Sequence, residues 1–89
     1  MESTPHQPGY HIAPIPRGVL GELSKIGEEF SELCDAANQG VRVMELVELA
    51  DLYGAIESYL LNKHPGTTME DLAAMSAVTK RAFQNGHRA

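Results

Sequence analysis

The segment from Arg42 to Asn62 most constrains what this chain can become. Leu46, Leu49, Leu52, Tyr53, Ile56 and Leu60 recur at helical spacing and mark a main face. Val43, Val47 and Ala50 make other sides apolar too. A helix apolar nearly all round belongs at the centre of its assembly. Gln39-Gly40 precedes it, and Pro65-Gly66 forces a turn after it. The flanking segments are therefore expected to be its packing partners.

The preceding segment has helical spacing from about Gly18 to Asn38. Val19, Leu23, Ile26, Phe30, Leu33 and Ala37 form one apolar stripe. After the turn, Thr67 with Glu70, or Thr68 with Asp71, has the spacing of a helix N-cap with an acidic third residue. Leu72, Met75, Thr79, Ala82 and Phe83 give the inner stripe of this third helix, and Asn85-Gly86 ends it. Nothing reads as a strand. The fold class is all-α: a short bundle made of an antiparallel helix hairpin and a third helix.

Residues 1–17 read as an extended N-terminal arm, broken by Pro5, Pro8, Pro14 and Pro16. Tyr10, Ile12 and Ile15 are apolar enough to lie against a neighbour. Residues 18–89 form a single helical domain. So short a chain buries only about 60–65% of the surface exposed by its unfolded form. Cys34 is the only cysteine, so no disulfide framework supports that thin core. Completion by homo-oligomerisation is expected.

Twelve acidic against seven basic side chains give a net charge of −5. No cluster of Lys and Arg is present to neutralise a nucleic-acid backbone. No basic start followed by an apolar run suggests a secretory signal. The stretch from Leu46 to Leu61 contains Glu48, Asp51 and Glu57, too polar and short to span a bilayer. A reducing, cytoplasmic setting is expected.

The acidic residues are not scattered. Glu29 and Glu32 are three apart on the first helix, and Glu48 and Asp51 are three apart on the second. Each pair projects from neighbouring parts of one helix face. Glu29 and Asp51 are each eleven residues from Gly40, and Glu32 and Glu48 are each eight from it. A tight turn there sets the two pairs level across an antiparallel hairpin, with axes about 8–10 Å apart. Glu29 is expected at the edge of the packed face. Four such carboxyls repel one another unless a divalent cation lies between them. Magnesium suits an all-oxygen ligand set, with Mn2+ as a possible substitute. No histidine or cysteine ligand is expected on this face.

Lys25-Ile26-Gly27-Glu28-Glu29-Phe30-Ser31-Glu32-Leu33, followed by Glu48-Leu49-Ala50-Asp51-Leu52-Tyr53 with fifteen residues between Glu32 and Glu48, resembles a known pattern. It is similar to the E-E-x-x-E and E-x-x-D motifs of the MazG-like all-α nucleotide pyrophosphohydrolases, over about residues 18–62. The resemblance implies that Glu29, Glu32, Glu48 and Asp51 ligate Mg2+. It also implies cleavage of a nucleoside triphosphate between its α- and β-phosphates, in a homodimer or homotetramer. Either Glu29 or Glu32 is the expected proton acceptor. The alternatives are a non-catalytic helical dimerisation module and a nucleotide sensor.

Lys25, Lys80, Arg81 and Arg88 are candidate phosphate contacts, set against ordinary surface pairing or helix-end charge. Glu22 and Glu28 are expected in solvent, and Glu45 on the packed side of the second helix. Cys34 and Tyr53 read as packed side chains. His6, His11, His64 and His87 show no metal-ligand spacing, and none is expected to be catalytic.

Overall fold

The computed structural model describes residues 11, 12 and 14–84. Three helices follow in order: α1 (Leu23–Gln39), α2 (Arg42–Lys63) and α3 (Met69–Gln84). No strand occurs among the described residues. Helices α1 and α2 form an antiparallel hairpin, which α3 contacts only lightly. Tyr10, Arg88, the Asn85-Gly86 stop and the side chains of Ala82 and Phe83 lie outside the described residues.

The hairpin is fastened at both ends. At the bend, Gly40 adopts φ 74°, and its N–H donates to the carbonyls of Ala36 and Ala37. That left-handed conformation costs a residue with a Cβ about 1–2 kcal/mol. At the open end, the Asn62 amide donates to the Gly21 carbonyl at 2.9 Å. Helix α1 begins at Leu23 rather than near Gly18. Residues 18–22 instead form a turn, in which Glu22 N–H donates to the Val19 carbonyl at 3.0 Å. Gly18 is required there, because a Cβ would run into the Ser24 carbonyl.

The start of α3 follows the expected capping arrangement. Thr68 Oγ1 accepts from Asp71 N–H at 3.1 Å, while Asp71 Oδ2 accepts from Thr68 N–H at 2.9 Å. These reciprocal bonds satisfy backbone donors that the first helical turn leaves open.

The face that α1 turns toward α2 corrects the expected packing. Among the described residues the buried apolar side chains are Ala36, Ala55 and Leu60, whereas Glu28, Glu29, Glu32 and Glu48 are all buried. Leu23 and Phe30 are 64% and 56% exposed. They sit about 100–120° around the helix from Glu29. The apolar stripe is split: Ile26 and Leu33 flank the acids half-buried, while Val19, Leu23, Phe30 and Ala37 face out. On α2, Leu46, Leu49 and Tyr53 face out, Leu52 and Ile56 are half-buried, and Leu60 is buried. Met75 is exposed on α3, with Leu72 and Thr79 half-buried. The hairpin thus encloses its acids and presents much of its apolar surface outward.

Candidate metal centre

Helical phase and the Gly40 bend together build the site. Glu29 and Glu32 project inward from consecutive turns of α1, and Glu48 and Asp51 meet them from α2. One carboxylate oxygen from each of the four lies within 4.8 Å of the others. Glu48 is fully buried, and Asp51 is the exposed member. Glu29, Glu32 and Glu48 occupy the interior of the packed face, whereas Glu29 was expected at its edge.

Crowding shows in the acidity of the group. Burial, followed by the charges of Glu29 and Glu48, pushes the Glu32 carboxyl up to about 8. Burial and then Glu48 raise Asp51 as well, with Lys25 opposing. Glu29 Oε1 is buried and receives no hydrogen bond. Desolvated carboxylates held together, one with an oxygen lacking a donor, fit a hard divalent cation.

Lys25 bridges the acidic turns of α1. Its ammonium lies 3.1 Å from Glu28 Oε1 and 3.1 Å from Glu29 Oε2. Burial works against the ammonium, but hydrogen bonds to Glu29 and Glu28 carry its pKa upward. Glu28 does not face solvent as expected. Its Oε1 also accepts the Gly18 N–H at 2.8 Å, so it anchors the turn before α1. Beside this pair opens a cleft of about 440 Å³, lined by Lys25, Glu29, Asp51, Gly54 and Ser58 among others. Gly54, Ala50 and Ala55 on α2 leave it wide.

Other candidates lie elsewhere. Lys80 and Arg81 are exposed on α3 and do not belong to the carboxylate group. Glu22 is exposed as expected, and Glu45 is half-buried. Cys34 and Tyr53 are exposed rather than packed.

The sequence pattern missed His11. The arm returns along the hairpin and places this imidazole over the acids, its side chain only 4% exposed. Nε2 lies 3.2 Å from Glu48 Oε2 and 3.9 Å from Glu32 Oε1. Nδ1 lies 2.8 Å from Asp35 Oδ2, which also accepts from Ile12 N–H and the Gln39 amide, each at 3.1 Å. The bond to His11 is the main cause holding Asp35 below the ordinary carboxylate range. The expectation of a histidine-free face is therefore corrected. Asp35 was the available signal, because it extends Glu29 and Glu32 by one more interval of three on α1.

Among the described residues, no helix is long and apolar enough to cross a membrane. No protein-family model, curated protein or solved structure matches this chain.

Proposed function

We propose that the chain is a magnesium-dependent nucleotide pyrophosphohydrolase, cleaving a nucleoside triphosphate to a monophosphate and pyrophosphate. The observation that carries this reading is the convergence of Glu29, Glu32, Glu48 and Asp51 from two antiparallel helices. The MazG-like pattern on the same residues supplies the reaction class.

Glu29, Glu32, Glu48 and Asp51 would hold Mg2+, with Mn2+ as a substitute. When bound, the ion would neutralise phosphate charge and make water a stronger nucleophile. The cleft beside Lys25 gives the triphosphate room next to these acids, and Lys25 supplies positive charge at its wall. The attacking water oxygen bonds to the α-phosphorus as the bond from that phosphorus to the α–β bridging oxygen breaks. Pyrophosphate leaves, and the water's proton passes to Glu29 or Glu32.

Assembly belongs to the same proposal. Leu23, Phe30, Leu46 and Tyr53 are more than half exposed on the hairpin. Their burial between copies in a homodimer or homotetramer would add the apolar core that one chain lacks. The exposed apolar surface also favours the second reading, a helical dimerisation module that turns over nothing.

The test is release of pyrophosphate from a panel of canonical and modified nucleoside triphosphates, with Mg2+ and with Mn2+. Glu32→Gln and Glu48→Gln should each abolish it. Full turnover in both variants would remove these acids from the reaction. An oligomer inactive across the whole panel would favour the dimerisation module.

A further inference from the structure

We propose that His11, with Glu32 and Glu48, forms a mixed nitrogen–oxygen site for a borderline divalent transition ion such as Mn2+ or Co2+. This deepens the metal-centre reading, but does not depend on nucleotide hydrolysis. The sequence pattern calls for carboxylates alone; the imidazole comes from the arm.

The distances suit a shared ion. Ligand atoms about 2.1 Å from one ion are about 3.0 Å apart when adjacent and about 4.2 Å apart when opposite. His11 Nε2 is 3.2 Å from Glu48 Oε2 and 3.9 Å from Glu32 Oε1, between those limits. Single donor atoms of all three residues lie within 4.8 Å of one another. The imidazole and the Glu48 side chain are 4% and 0% exposed, so the donors are enclosed. Independently, Glu29 Oε1 is buried without a hydrogen bond, and Glu29 belongs to the carboxylate group that includes Glu32 and Glu48.

Asp35 supplies the support that metal-binding histidines usually have. A carboxylate that accepts from one ring nitrogen fixes the tautomer and turns the other nitrogen toward the ion. Asp35 Oδ2 stands 2.8 Å from Nδ1 and also accepts from Ile12 N–H and the Gln39 amide. That set of bonds leaves Nε2 as the nitrogen directed at Glu48 and Glu32. Asp35 is therefore a positioning residue. Replacing an oxygen donor by imidazole moves preference from magnesium toward transition ions.

The full chain loaded with Mn2+ should show imidazole nitrogen coupling by pulsed electron paramagnetic resonance. Calorimetry with Co2+ and Mg2+ alone then compares the wild type with His11→Ala and Asp35→Asn. Co2+ binding should weaken about 10–100-fold in His11→Ala and about tenfold in Asp35→Asn. Mg2+ binding should weaken less than Co2+ binding, so the Co2+-to-Mg2+ affinity ratio falls in both variants. Absence of nitrogen coupling in the wild type would overturn the proposal, as would an unchanged Co2+-to-Mg2+ ratio in a folded His11→Ala chain. His11 would then be a counter-ion for Glu48. Should His11→Ala not fold, the wild-type nitrogen signal decides the question. Nitrogen coupling without pyrophosphate release sinks the enzyme and keeps this site. Magnesium-dependent release without nitrogen coupling does the reverse.

Discussion

Replacing Glu48 by Gln should stabilise the metal-free protein and remove its response to magnesium. Glu48 is fully buried, with an oxygen within 4.8 Å of oxygens on Glu29, Glu32 and Asp51. At that separation and an effective dielectric of about 20, each pair of like charges repels by about 3.5 kcal/mol. Glu32, pushed up to about 8, is mostly protonated at pH 7 and adds little. Glu29 and Asp51 remain, the latter weakened by exposure. Losing the interaction with His11 offsets part of the gain. The net expectation is about 2 kcal/mol of added stability, in line with replacements of buried charges. That corresponds to a rise in Tm of about 8–16 °C for a domain of this size.

Magnesium should reverse the order. At about 100 times its Kd, a ligand bound only by the folded state adds about 2.7 kcal/mol. The wild type should gain that increment, while Glu48→Gln stays near its metal-free Tm. Differential scanning calorimetry with chelator and then with a magnesium series reads both effects. A variant that melts below the wild type in chelator, yet still rises with magnesium as the wild type does, would refute the argument from repulsion and ligation.

Four further outcomes follow from particular residues. The Glu32 pKa is raised in the folded state, so its stabilising contribution is complete below about 4.5 and is lost as pH rises through about 8. Metal-free Tm should fall across that window, and Glu32→Gln should flatten the fall; a wild type that gains stability from pH 5 to 8 with no change in Glu32→Gln would contradict it. Because binding must displace the same proton, Mg2+ affinity measured calorimetrically should tighten about tenfold from pH 6 to 7, about fivefold from pH 7 to 8, and level off beyond; a flat profile would count against Glu32 as a ligand. Gly40→Ala forces a Cβ into φ 74° and should lower Tm by about 4–16 °C, whereas an unchanged value would mean that the bend relaxes. If copies assemble through this face as proposed, Phe30→Ser with Leu46→Ser should shift sedimentation toward smaller species, and an unchanged distribution would count against that assembly.

The sequence made the elements of the fold legible because their signals are local. Gly40 supplies the left-handed stop, and Thr68 with Asp71 supplies the cap. The acid quartet was also legible, since two helices joined at a known bend leave one register in which Glu29 faces Asp51 and Glu32 faces Glu48. The direction of the apolar stripe was not. Periodicity shows that Leu23 and Phe30 share a surface, but not which neighbour covers it, and α2 takes the acidic side of α1. Glu28 was misplaced because its partner is the Gly18 backbone in an irregular turn. His11 was invisible for a related reason: its bond to Asp35 spans 24 positions and leaves a segment with no helical period.

Closure of the hairpin at both ends determines how the carboxylates can yield. The Gly40 bend stops α1 and α2 from sliding at one end, and the Asn62–Gly21 bond stops them at the other. Electrostatic repulsion at mid-length would therefore act to bow the helices apart, like a beam held at its supports. Entry of a cation would relieve that bowing without shifting either helix along its axis.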